Sequence, residues 1–185
     1  KQVSIIWNLR LPRVLLAFMV GGSLAASGAI VQSVLKNQLA SPYTLGLSSG
    51  ASLGVGIIIV TGISIPFLGR LTMPVVGFAC SLITMIIVLK FSEKVDRGMS
   101  NTTIILAGMV LSLFFSATLT TISALASDKM ESITMWSMGS FSMRGWSYVK
   151  AGIPFFIIGI LGVSFYFKEM DVLTFGEEAA KTIGV

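Results

Sequence analysis

Five long apolar runs, each ended by a short polar or charged segment, set the pattern of this chain. They cover roughly residues 14–35, 43–67, 71–89, 102–127 and 146–167. A helix rises about 1.5 Å per residue, so about twenty apolar residues cross the ~30 Å hydrocarbon layer of a bilayer. Each run approaches or meets that length, and only the last carries a charge, Lys150 near its start. The pattern therefore predicts an all-α polytopic transmembrane bundle of about five spanning helices. Pro154 is expected near the start of the fifth helix, where a missing N–H has no intrahelical partner to lose.

The segments between the runs fit short connections. Residues 36–42 (KNQLASP) make a turn ending in proline, Gly69 and Arg70 join the second and third runs, and residues 92–98 (SEKVDRG) form a charged, solvated loop. Residues 129–139 (KMESITMWSMG) are too short to span. Met130, Ile133 and Trp136 recur every third position there, giving a narrow apolar face suited to an interfacial helix. That helix either anchors its loop or covers a pathway mouth. At the C-terminal end, Thr174 is placed to cap a new helix with Glu177 three positions on, and Glu177 with Lys181 forms a favourable i, i+4 pair.

Composition narrows the class. Of 185 residues, 54% are hydrophobic and 11% charged, against about 25% charged in soluble domains, and the mean hydropathy is +0.90. The net charge of +5 does not mark a nucleic-acid surface, because the 13 lysines and arginines lie singly or in small groups between apolar runs. Charge asymmetry does not orient the chain either. Lys1, Arg10, Arg13, Arg70, Lys129, Arg144 and Lys150 would share one side, and Lys36, Lys90, Lys94, Arg97, Lys168 and Lys181 the other. With no histidine and a single cysteine, Cys80, the chain offers no imidazole base, no intrachain disulfide and no paired-cysteine metal site. The ten methionines are scattered as packing residues rather than as a metal-binding set. No cofactor and no metal is expected.

The distribution of acids is more informative. All eight (Glu93, Asp96, Asp128, Glu131, Glu169, Asp171, Glu177 and Glu178) lie in loops or near ends. Ion-coupled transporters and proton pumps hold their coupling ion on intramembrane carboxylates or histidines, and none is available here. The chain also lacks the G-x-x-x-x-G-K-[ST] phosphate loop. It is not expected to be an enzyme, and uphill transport would need an ATPase on a separate chain. An ion-coupled secondary transporter and a non-transporting membrane scaffold are the alternative readings.

Small residues line the runs in ways that suit close helix approach. Gly46, Gly50 and Gly54 recur at fours in the second, with Gly56 nearby. The first carries Gly21, Gly22, Ala25, Ala26 and Gly28, and the fourth aligns Gly108, Ser112, Ser116 and Thr120. Each stripe is either ordinary packing or, for the hydroxyl-bearing fourth, the wall of a neutral polar pathway. Gln32 is either a pathway-lining group or an interhelical hydrogen bond.

Several strings together resemble the FecCD family, the permease subunits of ATP-binding-cassette (ABC) importers for ferric siderophores, haem and vitamin B12. They are LRLPR (9–13), GGSLAASGAIVQSVLKNQLASPYTLGLSSGASLG (21–54), LAGMVLSLFFSA (106–117), MWSMGSFSMRGW (135–146) and LTFGEEAAKTIGV (173–185). They follow the family's order and spacing over nearly the whole chain. The family fold has about ten spans, and residues 1–185 look like the second through the sixth, a partial permease domain.

The resemblance implies further roles. Arg10 and Arg13 would dock an extracytoplasmic substrate-binding protein by charge-assisted contacts; the alternative reading of the residues alone is two interfacial arginines flanking a span. Asn37 and Leu39, with Asn101 and Thr102, would form a cytoplasmic gate, with Gln38 standing where the family usually has proline. Gly176, Glu177, Glu178, Ala179, Ala180 and Gly184 match the coupling helix that sits on the ATPase. The expected protein is a multi-pass subunit of the cell (cytoplasmic) membrane that moves iron-siderophore or related metal-chelate nutrients inward. Its implied partners are a second permease subunit, two ATP-binding-cassette ATPase subunits, the binding protein and the lipid bilayer, with no nucleic acid.

Overall fold

The computed structural model describes residues 2–142 and 144–174, and every regular element among them is helical. The order is α1 (Gln2–Ile5), a π-turn (Ile6–Arg10), α2 (Leu11–Leu35), α3 (Leu47–Thr61), α4 (Thr72–Val95), α5 (Asn101–Leu125), α6 (Met130–Met138), α7 (Trp146–Phe165) and α8 (Phe167–Thr174). Short 3₁₀ turns at Gly69–Leu71 and Ser127–Lys129 precede α4 and α6. Among the described residues, four continuous helical stretches are long and apolar enough to cross a membrane: Val3–Leu35, Gly69–Val95, Asn101–Leu125 and Trp146–Phe165.

The helix in the second apolar run is shorter than the run itself. α3 has 15 residues, about 22 Å at 1.5 Å per residue. Its limits are set by backbone rather than by hydrophobicity, since Gly46 before it and Gly62 after it hold φ values of +79° and +67°. Both lie in the left-handed region that glycine enters without steric cost, and the Gly62 amide closes the helix on the Ile58 carbonyl.

Pro154 also departs from expectation. It lies inside α7, not at its first turn. The hydrogen bond its nitrogen would have made to the i−4 carbonyl is therefore missing in mid-helix, which membrane helices tolerate better than soluble ones.

The described residues form two compact units, one from residues 2–39 with 140–142 and 144–174 and the other from residues 40–139. In the first, α2 packs on α7 and α8. Its buried cluster is Leu16, Met19 and Val149, with Leu15, Trp146, Tyr148 and Phe156 against it. Gly22 admits the Phe156 ring and Gly152 the end of Met19.

In the second unit, α3 is the central element and contacts α4, α5 and α6. Its glycine stripe is used for packing: Gly50 lies against Thr84, Gly54 against Cys80, and Gly56 against Leu119. Ile133 of α6 is buried, and Trp136 of the same helix covers Gly77 of α4. Buried hydroxyls are satisfied within their own helices, Ser92 on the Val88 carbonyl and Thr84 on that of Cys80, each at 2.8 Å.

Large apolar side chains cover the outward helix faces. Phe18 of α2, Leu113 of α5 and Ile158 of α7 are each more than two-thirds exposed. Such faces suit hydrocarbon or further helices and not water.

Candidate functional site

The residues singled out in the sequence fall into three groups, and the first is at the N-terminal end of α2. Arg10 is the last residue of the π-turn, Arg13 lies in the first turn of α2, and both are exposed. The loop before α7 holds Arg144 over the Tyr148 ring, 4.6 Å from its centroid, and its guanidinium donates to the Tyr148 hydroxyl at 2.7 Å. Two residues on, the Trp146 indole stacks obliquely on Trp7, with centroids 5.6 Å apart. Two stretches far apart in the chain are thereby joined at Trp7 and Trp146. The Trp7–Trp146 contact had no signal in the local pattern.

The second group follows α2. Lys36 adopts a left-handed conformation with φ of +46° and ends the helix. The Gln32 backbone carbonyl accepts the Asn37 amide at 3.2 Å, so these two residues are joined through their main chains. The Asn37 side-chain oxygen accepts the Leu39 amide at 2.9 Å, an Asx-type turn, while the Leu39 side chain is 86% exposed. Asn37 thus braces the turn around Gln38. Gln32 itself is exposed.

The third group is on α5 and the loop before it. The Asp96 carboxylate accepts the Gly98 amide at 2.9 Å, the Ser100 amide at 3.1 Å and the Thr103 hydroxyl at 3.3 Å. The Ser100 hydroxyl is the largest influence on Asp96, followed by the Ser100 and Gly98 amides, and together with Thr103 they hold its carboxyl below the usual 3.8. Asp96 thereby braces the loop that leads into α5, where Asn101 is half-buried and Thr102 exposed.

The hydroxyl stripe of α5 divides in two. Gly108 lies against the Thr44–Leu45 backbone just before α3, and the Ser112 hydroxyl lies 3.1 Å from that of Ser49 in α3. Ser116 and Thr120 are exposed, and the Thr120 hydroxyl donates back to the Ser116 carbonyl at 2.9 Å. Only these last two remain on an open face of their unit.

The coupling set Gly176, Glu177, Glu178, Ala179, Ala180 and Gly184 lies outside the described residues, as does the partner that Thr174 was expected to find in Glu177. A feature not anticipated is a groove of about 450 Å³ in the first unit, lined by Ile30, Val34, Ile158, Gly162, Tyr166 and Glu169 among others. One Glu169 carboxylate oxygen is buried with no hydrogen-bond partner among the described residues. The same residues contain no group of three histidines, cysteines or acids able to hold a metal.

Four helices of membrane-crossing length among the described residues, with charge kept to helix ends, define a polytopic helical membrane protein. The sequence matches the FecCD transport family over residues 1–185. It is 46% identical over 182 residues to the ABC transporter permease protein YvrB of Bacillus subtilis (strain 168), covering 98% of this chain and 52% of that one. It is 36% identical over 187 residues to the hemin transport system permease protein HmuU of Yersinia pestis, covering 97% and 54%. A solved inward-facing metal-chelate type ABC transporter superposes with a TM-score of 0.82 at 31% identity, covering all of this chain and 57% of that one. The chain belongs to the FecCD transport family. It spans about half the length of the curated relatives it matches.

Proposed function

We propose that this chain is part of the membrane-spanning permease subunit of an ABC importer that carries iron-siderophore or related metal-chelate nutrients across the cytoplasmic membrane. The observation that carries the reading is the family match over all 185 residues. The chemistry of the spans supports it. The apolar stretches of α2, α3, α5 and α7 contain no carboxylate, so a coupling ion has no intramembrane ligand of the usual kind. The driving force then comes from a soluble ATPase acting on the cytoplasmic side.

In this reading two permease subunits enclose the pathway and two ATPase subunits bind beneath them. A binding protein docks through carboxylates on Arg10 and Arg13, whose exposure at the start of α2 suits charge-assisted contacts. The Asn37–Leu39 turn and the Asn101–Thr102 start of α5 serve as gate elements. Ser116 and Thr120 supply neutral hydroxyls to the pathway wall, whereas Ser112 acts in packing. Residues 176–184 transmit ATPase closure. The hemin transport relative and the metal-chelate type neighbour favour a chelated metal as cargo.

The test is uptake by the full-length permease, reconstituted with its ATPase and binding protein. ATP-dependent uptake of a ferric siderophore, haem or cobalamin is expected. Substrate counterflow with the ATPase omitted would instead favour a secondary transporter. An assembly that binds no ATPase, or retains it fully after E177R with E178R, would favour a scaffold.

A further inference from the structure

The π-turn that leads into α2 contains a backbone carbonyl that its own helical stretch cannot satisfy. The Leu11 amide donates to the Ile6 carbonyl, five residues back, and this bond makes residues 6–10 a π-turn. In α-helical register the same amide would have served Trp7. In the wider register Trp7 would look to the amide of residue 12, which is proline and has none. The Trp7 carbonyl is thus left over by both patterns. It accepts instead from the Trp146 indole Nε1 at 3.0 Å, across 139 residues of chain.

The donor is held in place by packing. Trp146 rests on the buried Leu16, Met19 and Val149 cluster and stacks on Trp7. Arg10 lies between this tied carbonyl and Pro12, which is fully buried. Its backbone is therefore fixed at both ends, on one side by a proline in the first turn of α2 and on the other by a side chain from α7.

We infer that Trp146 is a positioning residue for the docking arginines: by supplying the donor that Pro12 lacks, it fixes the π-turn and the direction in which Arg10 is presented. Trp146 need not touch the binding protein itself. The inference rests on the docking role proposed above for Arg10 and Arg13.

The experiment uses full-length permease in nanodiscs and the substrate-binding protein of the same importer, with R10E/R13E as the reference variant. W146F keeps an aromatic ring but removes the N–H. P12A returns a backbone N–H at the fifth position after Trp7. The expected result is faster amide exchange over residues 6–13 in W146F, docking about threefold to tenfold weaker, in keeping with one hydrogen bond, and substantial recovery of both in W146F/P12A. Weaker docking without recovery in the double variant would overturn the inference, since Trp146 would then act by packing alone. Unchanged docking in W146F while R10E/R13E remains defective would also overturn it. If R10E/R13E docks as well as the parent, the docking reading itself fails, and the positioning role with it.

Discussion

Gly108 of α5 lies so close to Leu45 that a methyl carbon built on it would stand 2.7 Å from the Leu45 Cα. The obstruction is backbone and cannot rotate away. The neighbouring pair repeats the theme, since Gly46 has φ of +79° and its missing Cβ would meet the Gly108 carbonyl at 3.1 Å. The approach of α5 to the start of α3 therefore depends on two glycines facing each other, a membrane-type contact in which small residues let backbones meet.

G108A should lower the unfolding midpoint of the full-length protein in detergent, at a cost of about 1–3 kcal/mol for an overpacked contact. G28A is the control. It has open space around the new methyl among the described residues and should be neutral or slightly stabilising, because alanine is the better helix former. Equal loss in both variants would show that the contact is not what G108A disrupts.

The Ser49–Ser112 hydroxyl pair should contribute modestly. Ser49 also donates to the Gly46 carbonyl at 2.9 Å, so removing Ser112 does not strand it. A double-mutant cycle with S49A and S112A should give a coupling near 0.6 kcal/mol, the usual size for hydroxyl bonds between membrane helices. A coupling several times larger would indicate a polar network wider than the pair.

The loop braced by Asp96 should be sensitive to acid in one direction. Its carboxyl is held below 3.8, chiefly by Ser100, so the folded loop favours the ionised form. The contribution is fully present above the unfolded value and is lost as pH falls through the lower folded one. Amide exchange at Gly98 and Ser100 should stay slow at neutral pH and quicken, beyond the intrinsic acid dependence, below about pH 4. D96N should show the faster exchange at every pH, with no step in the acid range.

Charge reversal of Arg10 and Arg13 together should weaken binding-protein docking at least tenfold at low salt, mostly through slower association. Membrane insertion should be unaffected, since both arginines are exposed at a helix end. Docking by the parent protein should also weaken as salt is raised. Affinity indifferent to both charge and salt would remove these arginines from the docking surface.

The helical class and the membrane-length apolar helices were legible in the sequence because hydrocarbon thickness is a one-dimensional constraint. It is met or missed by the length of an apolar run, whatever the run packs against. The absence of acids from the spans was equally plain, and with it the expectation of an outside source of energy. The shared motifs carried the family assignment.

Tertiary structure decided which faces meet. Nothing local distinguishes Ser112, turned to Ser49, from Ser116 one turn on, which stays exposed. The ends of α3 inside its apolar run depend on the left-handed backbone at Gly46 and Gly62, which composition does not reveal. The bond from Trp146 to the Trp7 carbonyl joins residues 139 apart. Proline at position 12 announces a missing donor, but only the packing of α7 on α2 brings another to replace it. Hydrophobic length is a property of a segment, whereas contact is a property of two surfaces at once, and the second becomes determinate only when the chain has folded.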